Sequence, residues 1–295
     1  MLPRSKNYLV LLSFLLPGIA LYTLFVLYPV VLSVYYSLFR WRGITAERTF
    51  VGLENLKRLL SDRVIWLAIR NNLLLLLATV SIGLPLAFAL ALLLARTKIR
   101  GKFFFRSVYF FAVILCVVVV GLLWSWFLNP SFGLLNKLLA KVGLSGWRQA
   151  WLAENPWVLI SVILVSLWQR TGFYFVIYMA AIGEVPQSIY DATSVDGASF
   201  WQTTIWITLP LLRPVLVVTV VMATIYSIKY FDLVYVMTMG GPVHSTELLA
   251  IYMYKQAFSS LNMGYASAIA CALLLLGLIM SVSQITLAEK TVTEF

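Results

Sequence analysis

The 295-residue sequence is 62% hydrophobic and 11% charged, with a net charge of +11, where an ordinary water-soluble domain has roughly 45–50% and 25%. A soluble fold of this length could not hide so much apolar surface. The apolar residues come in blocks rather than in stripes of period 2 or 3.6, and several blocks exceed the roughly 18–20 residues that cross a bilayer as a helix, so lipid is the expected solvent. The basic residues cluster between the blocks, where attraction to anionic head groups and control of topology account for them without nucleic acid. Cys116 and Cys271 fall inside apolar blocks and read as small buried residues, with neither disulfide nor metal spacing.

In chain order the predicted spans are residues 8–38, with Pro17 and Pro29 as kink points, 65–95, 103–128, 157–182, 212–234 and 265–287. The first follows Arg4 and Lys6 in the manner of a signal peptide, but it runs well past a signal core and no A-x-A-like pattern closes it. The predicted class is all-α, a polytopic membrane protein forming one domain over 1–295, without internal repeats. In the first loop, Val51–Leu60 places Leu53, Leu56, Leu59 and Leu60 on one side of a short surface helix and Glu54, Lys57 and Arg58 on the other. Trp41, Trp124, Trp126, Trp147, Trp151 and Trp157 fall near span ends, as interfacial anchors do.

Six spans put both termini on one side, together with the Arg96–Arg106 turn and the Gly183–Leu211 connection. The turn carries Arg96, Lys98, Arg100, Lys102 and Arg106, which favours the cytoplasm. The first loop carries Arg40, Arg42, Arg48, Lys57, Arg58 and Arg63, so counting alone leaves the orientation open.

The connection Glu184–Pro210 reads EVPQSIYDATSVDGASFWQTTIWITLP. It is too long for a tight turn, too polar to cross the bilayer, and built like two helices. Pro186 suits a first turn, Gly197 can take the positive φ of a reversal, and a second helix runs from about Ser199 until Pro210 and Pro214 mark the start of the fifth span.

This segment resembles the signature of the inner-membrane permeases of ATP-binding-cassette importers: EAA, three residues, Gly, nine residues, Ile-x-Leu-Pro. Here stand Asp191-Ala192-Thr193, Gly197 and Ile207-Thr208-Leu209-Pro210, with both spacings kept. The resemblance implies that Tyr190, Asp191, Ala192, Thr193, Asp196, Gly197, Ile207, Leu209 and Pro210 dock the 184–210 coupling loop into a groove on an ATP-hydrolysing subunit and relay its closure to the spans. It also implies that this loop, and so both termini, are cytoplasmic. Asp191 and Thr193 replace the usual Glu and second Ala, which shortens the acidic stem by one methylene. Phe50-Val51-Gly52-Leu53-Glu54-Asn55, Arg70-Asn71-Asn72, Asn129-Pro130 with Phe132–Asn136, and Phe231–Thr238 followed by Gly240-Gly241-Pro242 look like the carbohydrate branch of that family. The implied partners are a second homologous permease, two ATP-binding subunits that carry the ATP and Mg, and an extracytoplasmic solute-binding protein delivering a sugar-like solute. No cofactor is expected on this chain.

Charged and amide groups inside spans are site candidates because each central charge costs roughly 2.5–3.5 kcal/mol on insertion scales. They are Gln169 and Arg170 in the fourth span and Lys229 and Asp232, three apart and so on one helical face, in the fifth. Tyr174, Tyr226, Tyr230 and Tyr235 could add the aromatic surfaces a sugar needs. The structural alternative is that Lys229 and Asp232 neutralise each other while Arg170 snorkels or pairs with a neighbouring subunit. His244, the one histidine, follows Gly-Gly-Pro in an outer loop and is expected to lack ligand partners. The sequence shows no phosphate-binding loop, metal-ligand pattern or nucleophile motif, so no catalytic centre is expected. An ion-coupled secondary transporter of a small polar solute is the rival reading, and it would show coupling-ion groups at mid-membrane and often inverted repeats.

Overall fold

The structure, a computed structural model, describes residues 4–96 and 101–290. Lys98 and Arg100 of the basic turn lie outside the described residues, as do the side chains of Arg4 and Lys6. The chain divides into two compact units, one of residues 1–65 and 253–275, the other of residues 66–252 and 276–295.

The first unit opens with α1 (Arg4–Tyr22) and α2 (Tyr28–Ser37), joined through a π-helical turn, Thr23–Leu27. Residues 13–29 are exposed throughout. A ribbon of two-residue strands, β1 (Phe39–Arg40) and β2 (Thr49–Phe50), pairs antiparallel in the register Phe39 to Phe50. The surface helix forms as α3 (Glu54–Ser61). Asn55 is buried there and donates from Nδ2 to the carbonyls of Ser37 (2.8 Å) and Phe39 (3.0 Å), fixing the helix beneath the end of α2. The C-terminal part of this unit comprises a π turn, Lys255–Ser259, and the first half of α16 (Met263–Lys290). The Tyr265 hydroxyl donates to Asp62 Oδ2 at 2.7 Å.

In the second unit α4 (Arg63–Ala78) and α5 (Leu84–Arg96) form one long apolar helix through the π turn Thr79–Gly83. They are followed by α6 (Lys102–Ile114), α7 (Val117–Phe127), α8 (Leu134–Lys141) and α9 (Trp157–Glu184). Helix α9 is the core element, packing along α5 and α6. Gly172 permits the α6 contact, because a Cβ there would collide with the Tyr109 carbonyl. Beyond α9 come α10 (Gln187–Val195), α11 (Phe200–Thr203), the π turn Thr204–Thr208, α12 (Leu209–Leu211), α13 (Arg213–Lys229), α14 (Asp232–Thr238) and α15 (Leu249–Tyr254).

Among the described residues four helices are long and apolar enough to cross a membrane, and six spans result if each of two bent pairs, α6 with α7 and Phe200–Leu211 with α13 (71°), is one crossing. The third and fifth predicted spans need correction as straight rods. Helices α6 and α7 meet at 98° because Leu115 and Cys116 are extended, with ψ of 136° and 128°. Cys116 is exposed at that break and Cys271 is half-buried, so neither is the buried residue expected. In the fifth, α13 ends at Lys229, Tyr230 and Phe231 leave helical geometry, and α14 starts afresh at Asp232. Lys229 and Asp232 consequently do not share a helical face, and no ion pair joins them among the described residues. The loop expected after Tyr235 is largely helical.

Three π turns share a sequence form. TLFVLYP (23–29), TVSIGLP (79–85) and TIWITLP (204–210) each place Thr at the start of the widened turn and Pro six residues later. Proline has no N–H to give and its ring crowds the carbonyl of the preceding turn. Widening that turn shifts the hydrogen bonds to i→i−5, as in Tyr28 N–H to Thr23 O, Leu84 to Thr79 and Leu209 to Thr204, so the helix passes the proline without ending.

Candidate functional site

Two constellations stand out, a polar hairpin and a cavity among spans. The hairpin is α10, the reversal at Gly197, and α11. Pro186 precedes α10 as its N-cap, in extended geometry, one position earlier than expected. At the other end Gly197 has φ +72°, Ala198 N–H donates to Thr193 O (3.0 Å) and Gly197 N–H to Ser194 O (3.2 Å). This is a Schellman stop, which requires the left-handed conformation that glycine adopts without penalty. Ser199 then starts α11 with a capping box: Gln202 N–H donates to Ser199 Oγ, and Ser199 N–H to Gln202 Oε1 at 2.8 Å.

The hairpin sorts its signature residues into two faces. Asp191, Ala192, Asp196, Gly197 and Pro210 are exposed, Ile207 and Leu209 are half-buried, and Tyr190 and Thr193 are buried. Asp191 receives a hydrogen bond from Gln187 Nε2 at 3.1 Å. Thr193, where the signature has its second Ala, turns inward and donates from its hydroxyl to Tyr190 O at 2.8 Å. The exposed face carries two acidic groups, Asp191 and Asp196, and bare apolar side chains, Val195 and Trp201. Such a surface is fit to be covered by a partner.

The cavity lies where α9 faces the end of α13. Ser166, Arg170 and Tyr174 follow one another at i, i+4 and i+8 on α9, and with Leu75, Thr79, Ala223, Tyr226, Ser227 and Tyr230 they line it. The Arg170 guanidinium carbon is 4.1 Å from the centroid of the Tyr226 ring and 5.0 Å from that of Tyr230. No carboxylate pairs with it among the described residues, so aromatic faces supply its stabilisation, worth about 2 kcal/mol when desolvated. The Tyr174 side chain is fully buried and its hydroxyl meets no hydrogen-bond partner among the described residues.

Of the span residues singled out by sequence, the structure brings Arg170, Tyr174, Tyr226 and Tyr230 together and leaves Gln169, Lys229, Asp232 and Tyr235 apart. Gln169 is buried on another side of α9, with Oε1 unpartnered among the described residues. Lys229 and Asp232 are exposed, and Tyr235 stacks on Phe231 at 4.8 Å. His244 has a partner that the sequence reading did not name: its Nδ1 lies 2.8 Å from Oε2 of the fully buried Glu247. The signal for it in the sequence is the i, i+3 spacing of the two residues.

Asn72, part of the family-like run Arg70-Asn71-Asn72, has a structural role that the sequence did not disclose. In an unbroken α13 the carbonyls of Ser227 and Ile228 would accept from residues 231 and 232; the break leaves them bare, and Asn72 Nδ2 donates to both (2.6 and 3.4 Å). Its Oδ1 accepts from Leu249 N–H at 3.0 Å, so one buried amide caps the end of α13 and the start of α15. Asn71 donates to the carbonyls of Ser245 and Glu247 (3.1 and 2.9 Å), completing the support for the 240–249 segment.

Residues 83–291, which include the hairpin and α9, match the family described as the binding-protein-dependent transport system inner membrane component. The chain belongs to this family. The permease is 38% identical over 276 residues, 94% of both chains, to a probable ABC transporter permease of Pyrococcus horikoshii. It is 31% identical over 280 residues to the lactose transport system permease LacF of Rhizobium radiobacter, covering 94% of this chain and 93% of that one. In fold it is similar to a chain of the bacterial alginate ABC transporter solved in complex with an alginate pentasaccharide-bound periplasmic protein, with TM-score 0.85 at 22% identity, covering 97% of the permease and 96% of that chain.

Proposed function

We propose that the permease imports a sugar or sugar-like solute as part of a complex with a second homologous permease, two ATP-binding subunits that hold the ATP and Mg, and an extracytoplasmic solute-binding protein. The observation that carries this reading is the hairpin: a rigid, doubly capped elbow with the signature spacing and an exposed face of Asp191, Ala192, Val195 and Asp196. The transport of lactose by the LacF system and the periplasmic protein bound to the alginate transporter support the solute class and the delivery route.

In this scheme the 184–210 segment, both termini and the basic turn face the cytoplasm, and ATP-driven closure of the partner subunits pulls on the hairpin. The solute-binding protein docks on the outer segments 129–156 and 237–264. The cavity of Arg170, Tyr174, Tyr226 and Tyr230 lies on the solute pathway, offering a guanidinium, hydroxyls and ring faces to sugar hydroxyls.

The test is reconstitution. The native complex purified through a tag on this chain should contain an ATPase, a second permease and a binding protein. In proteoliposomes it should import at least one of labelled lactose, maltose, cellobiose or xylobiose only when ATP and the binding protein are both supplied. Uptake driven by an ion gradient without ATP would overturn the proposal.

A further inference from the structure

The hairpin is covalently continuous with α9 on one side and with α12 and α13 on the other. A third attachment is made by a residue in neither. Arg96, the last residue of α5, lays its guanidinium carbon 4.4 Å from the centroid of the Tyr190 ring in α10 and 5.4 Å from that of Phe200 at the start of α11. It therefore touches both limbs of the reversal at Gly197.

The way this cation is held is informative. Its Nη1 is buried without a hydrogen-bond partner, as is the Tyr190 hydroxyl, and no carboxylate pairs with Arg96 among the described residues. Ring faces, not directional hydrogen bonds, fix it. A guanidinium between two aromatic faces can slide and tilt with small loss while it resists separation, because the attraction depends on distance to the ring quadrupole more than on one angle. Arg96 also sits at the carbonyl end of α5, where the helix dipole favours a cation. Helix α5 in turn packs along α9, so the contact closes a mechanical loop from α9 through the hairpin to α5 and back.

We propose that Arg96 is a positioning residue for energy coupling: its guanidinium, seated on Tyr190 and Phe200, makes the second span move with the hairpin. This rests on the reading of the hairpin as the ATPase-docking element. When the partner draws the hairpin, α5 follows as a third driven element together with α9 and α13. The roles of Tyr190 and Phe200 in this are to present ring faces, one from each limb, so that neither limb can shift alone.

The experiment uses the full complex in proteoliposomes. Solute imported per ATP hydrolysed is measured with whichever sugar of the four-member panel the wild type imports. Arg96→Met should lower this ratio about tenfold, the range a desolvated cation–π contact supports. Tyr190→Leu should lower it similarly, the double variant should be no worse than either single one, and Arg96→Lys, which keeps a cation over the rings, should recover part of the loss. A solute-independent readout is the distance between spin labels at the exposed positions Leu93 and Trp206, compared with and without ATP. It should stay constant in the wild type and in Arg96→Lys and change with ATP in Arg96→Met. An unaltered import-to-ATP ratio in Arg96→Met, additive losses in the double variant, or a label distance that changes equally in all three proteins would overturn the proposal. Failure of the hairpin reading is distinguishable, because the wild-type complex itself would then lack ATP-dependent import.

Discussion

The hairpin and the Arg170 cavity are built by opposite means. The hydrogen bonds that shape the reversal of the hairpin are local: Ala198 N–H to Thr193 O, Gly197 N–H to Ser194 O, and the reciprocal pair of Ser199 and Gln202. The cavity is assembled from Thr79, Arg170 and Tyr230, groups far apart in the chain, and its rim depends on an amide at Asn72 reaching the carbonyl of Ser227. A locally encoded device keeps its spacing as a readable motif and tolerates change elsewhere. A convergent one exists only if several helices end at the right places.

That difference sets which substitutions should matter. The largest loss of stability is expected from Asn72→Leu, which strands buried carbonyl and amide groups at two helix ends at a cost of about 2–3 kcal/mol. Thermal unfolding of the detergent-solubilised complex should show it, and a midpoint equal to wild type would mean the two ends are satisfied otherwise. Next comes Gly197→Val, with a left-handed penalty of about 1–2 kcal/mol, raised by the β-branch. The space around Gly197 is open in this chain, so Gly197→Asn, which tolerates that conformation, should retain the ATPase on purification where Val loses it. Equal loss with Asn would show that a partner atom, not the backbone, demands glycine. Ser199→Ala removes one cap of α11 and should cost about 1 kcal/mol, visible as faster proteolysis within 195–203. The smallest effect on folding belongs to Arg170→Gln, because the loss of its two ring contacts is offset by no longer desolvating a charge. Its effect should be on transport, raising the half-saturating concentration of the binding-protein–sugar complex or lowering maximal uptake roughly tenfold. Unchanged uptake would detach the cavity from the solute pathway.

Legibility in the sequence followed the same divide. Apolar blocks located the long helices, and Pro186, Gly197 and Ser199 located the hairpin to within a residue, because helix capping and apolar content act on contiguous stretches. The 98° break at Leu115–Cys116 and the stop after Lys229 were not legible, since no proline or glycine marks either one and tertiary packing with Asn72 decides the second. The expected Lys229–Asp232 face failed for that reason: spacing of three means adjacency only while the helix is unbroken. The pairing of His244 with Glu247 was not legible from its spacing alone because it depends on a hydrogen-bonded knot, in which the Thr238 and Thr246 hydroxyls meet at 2.7 Å, that no local pattern announces.

The three Thr…Pro cassettes have a consequence for how this polypeptide can vary. A widened turn carries one residue more than an α turn, and one residue amounts to roughly 100° of azimuth. The apolar period above Gly83 is thus offset by one position in the sequence from that below Thr79, while the rod itself keeps its faces because the widened turn takes up the extra residue. Deleting a single residue within 79–83 should therefore close the turn to an ordinary one with the flanks of the rod in place, whereas the same deletion in the α-helical stretch 86–94 would swing everything beyond it by about 100°.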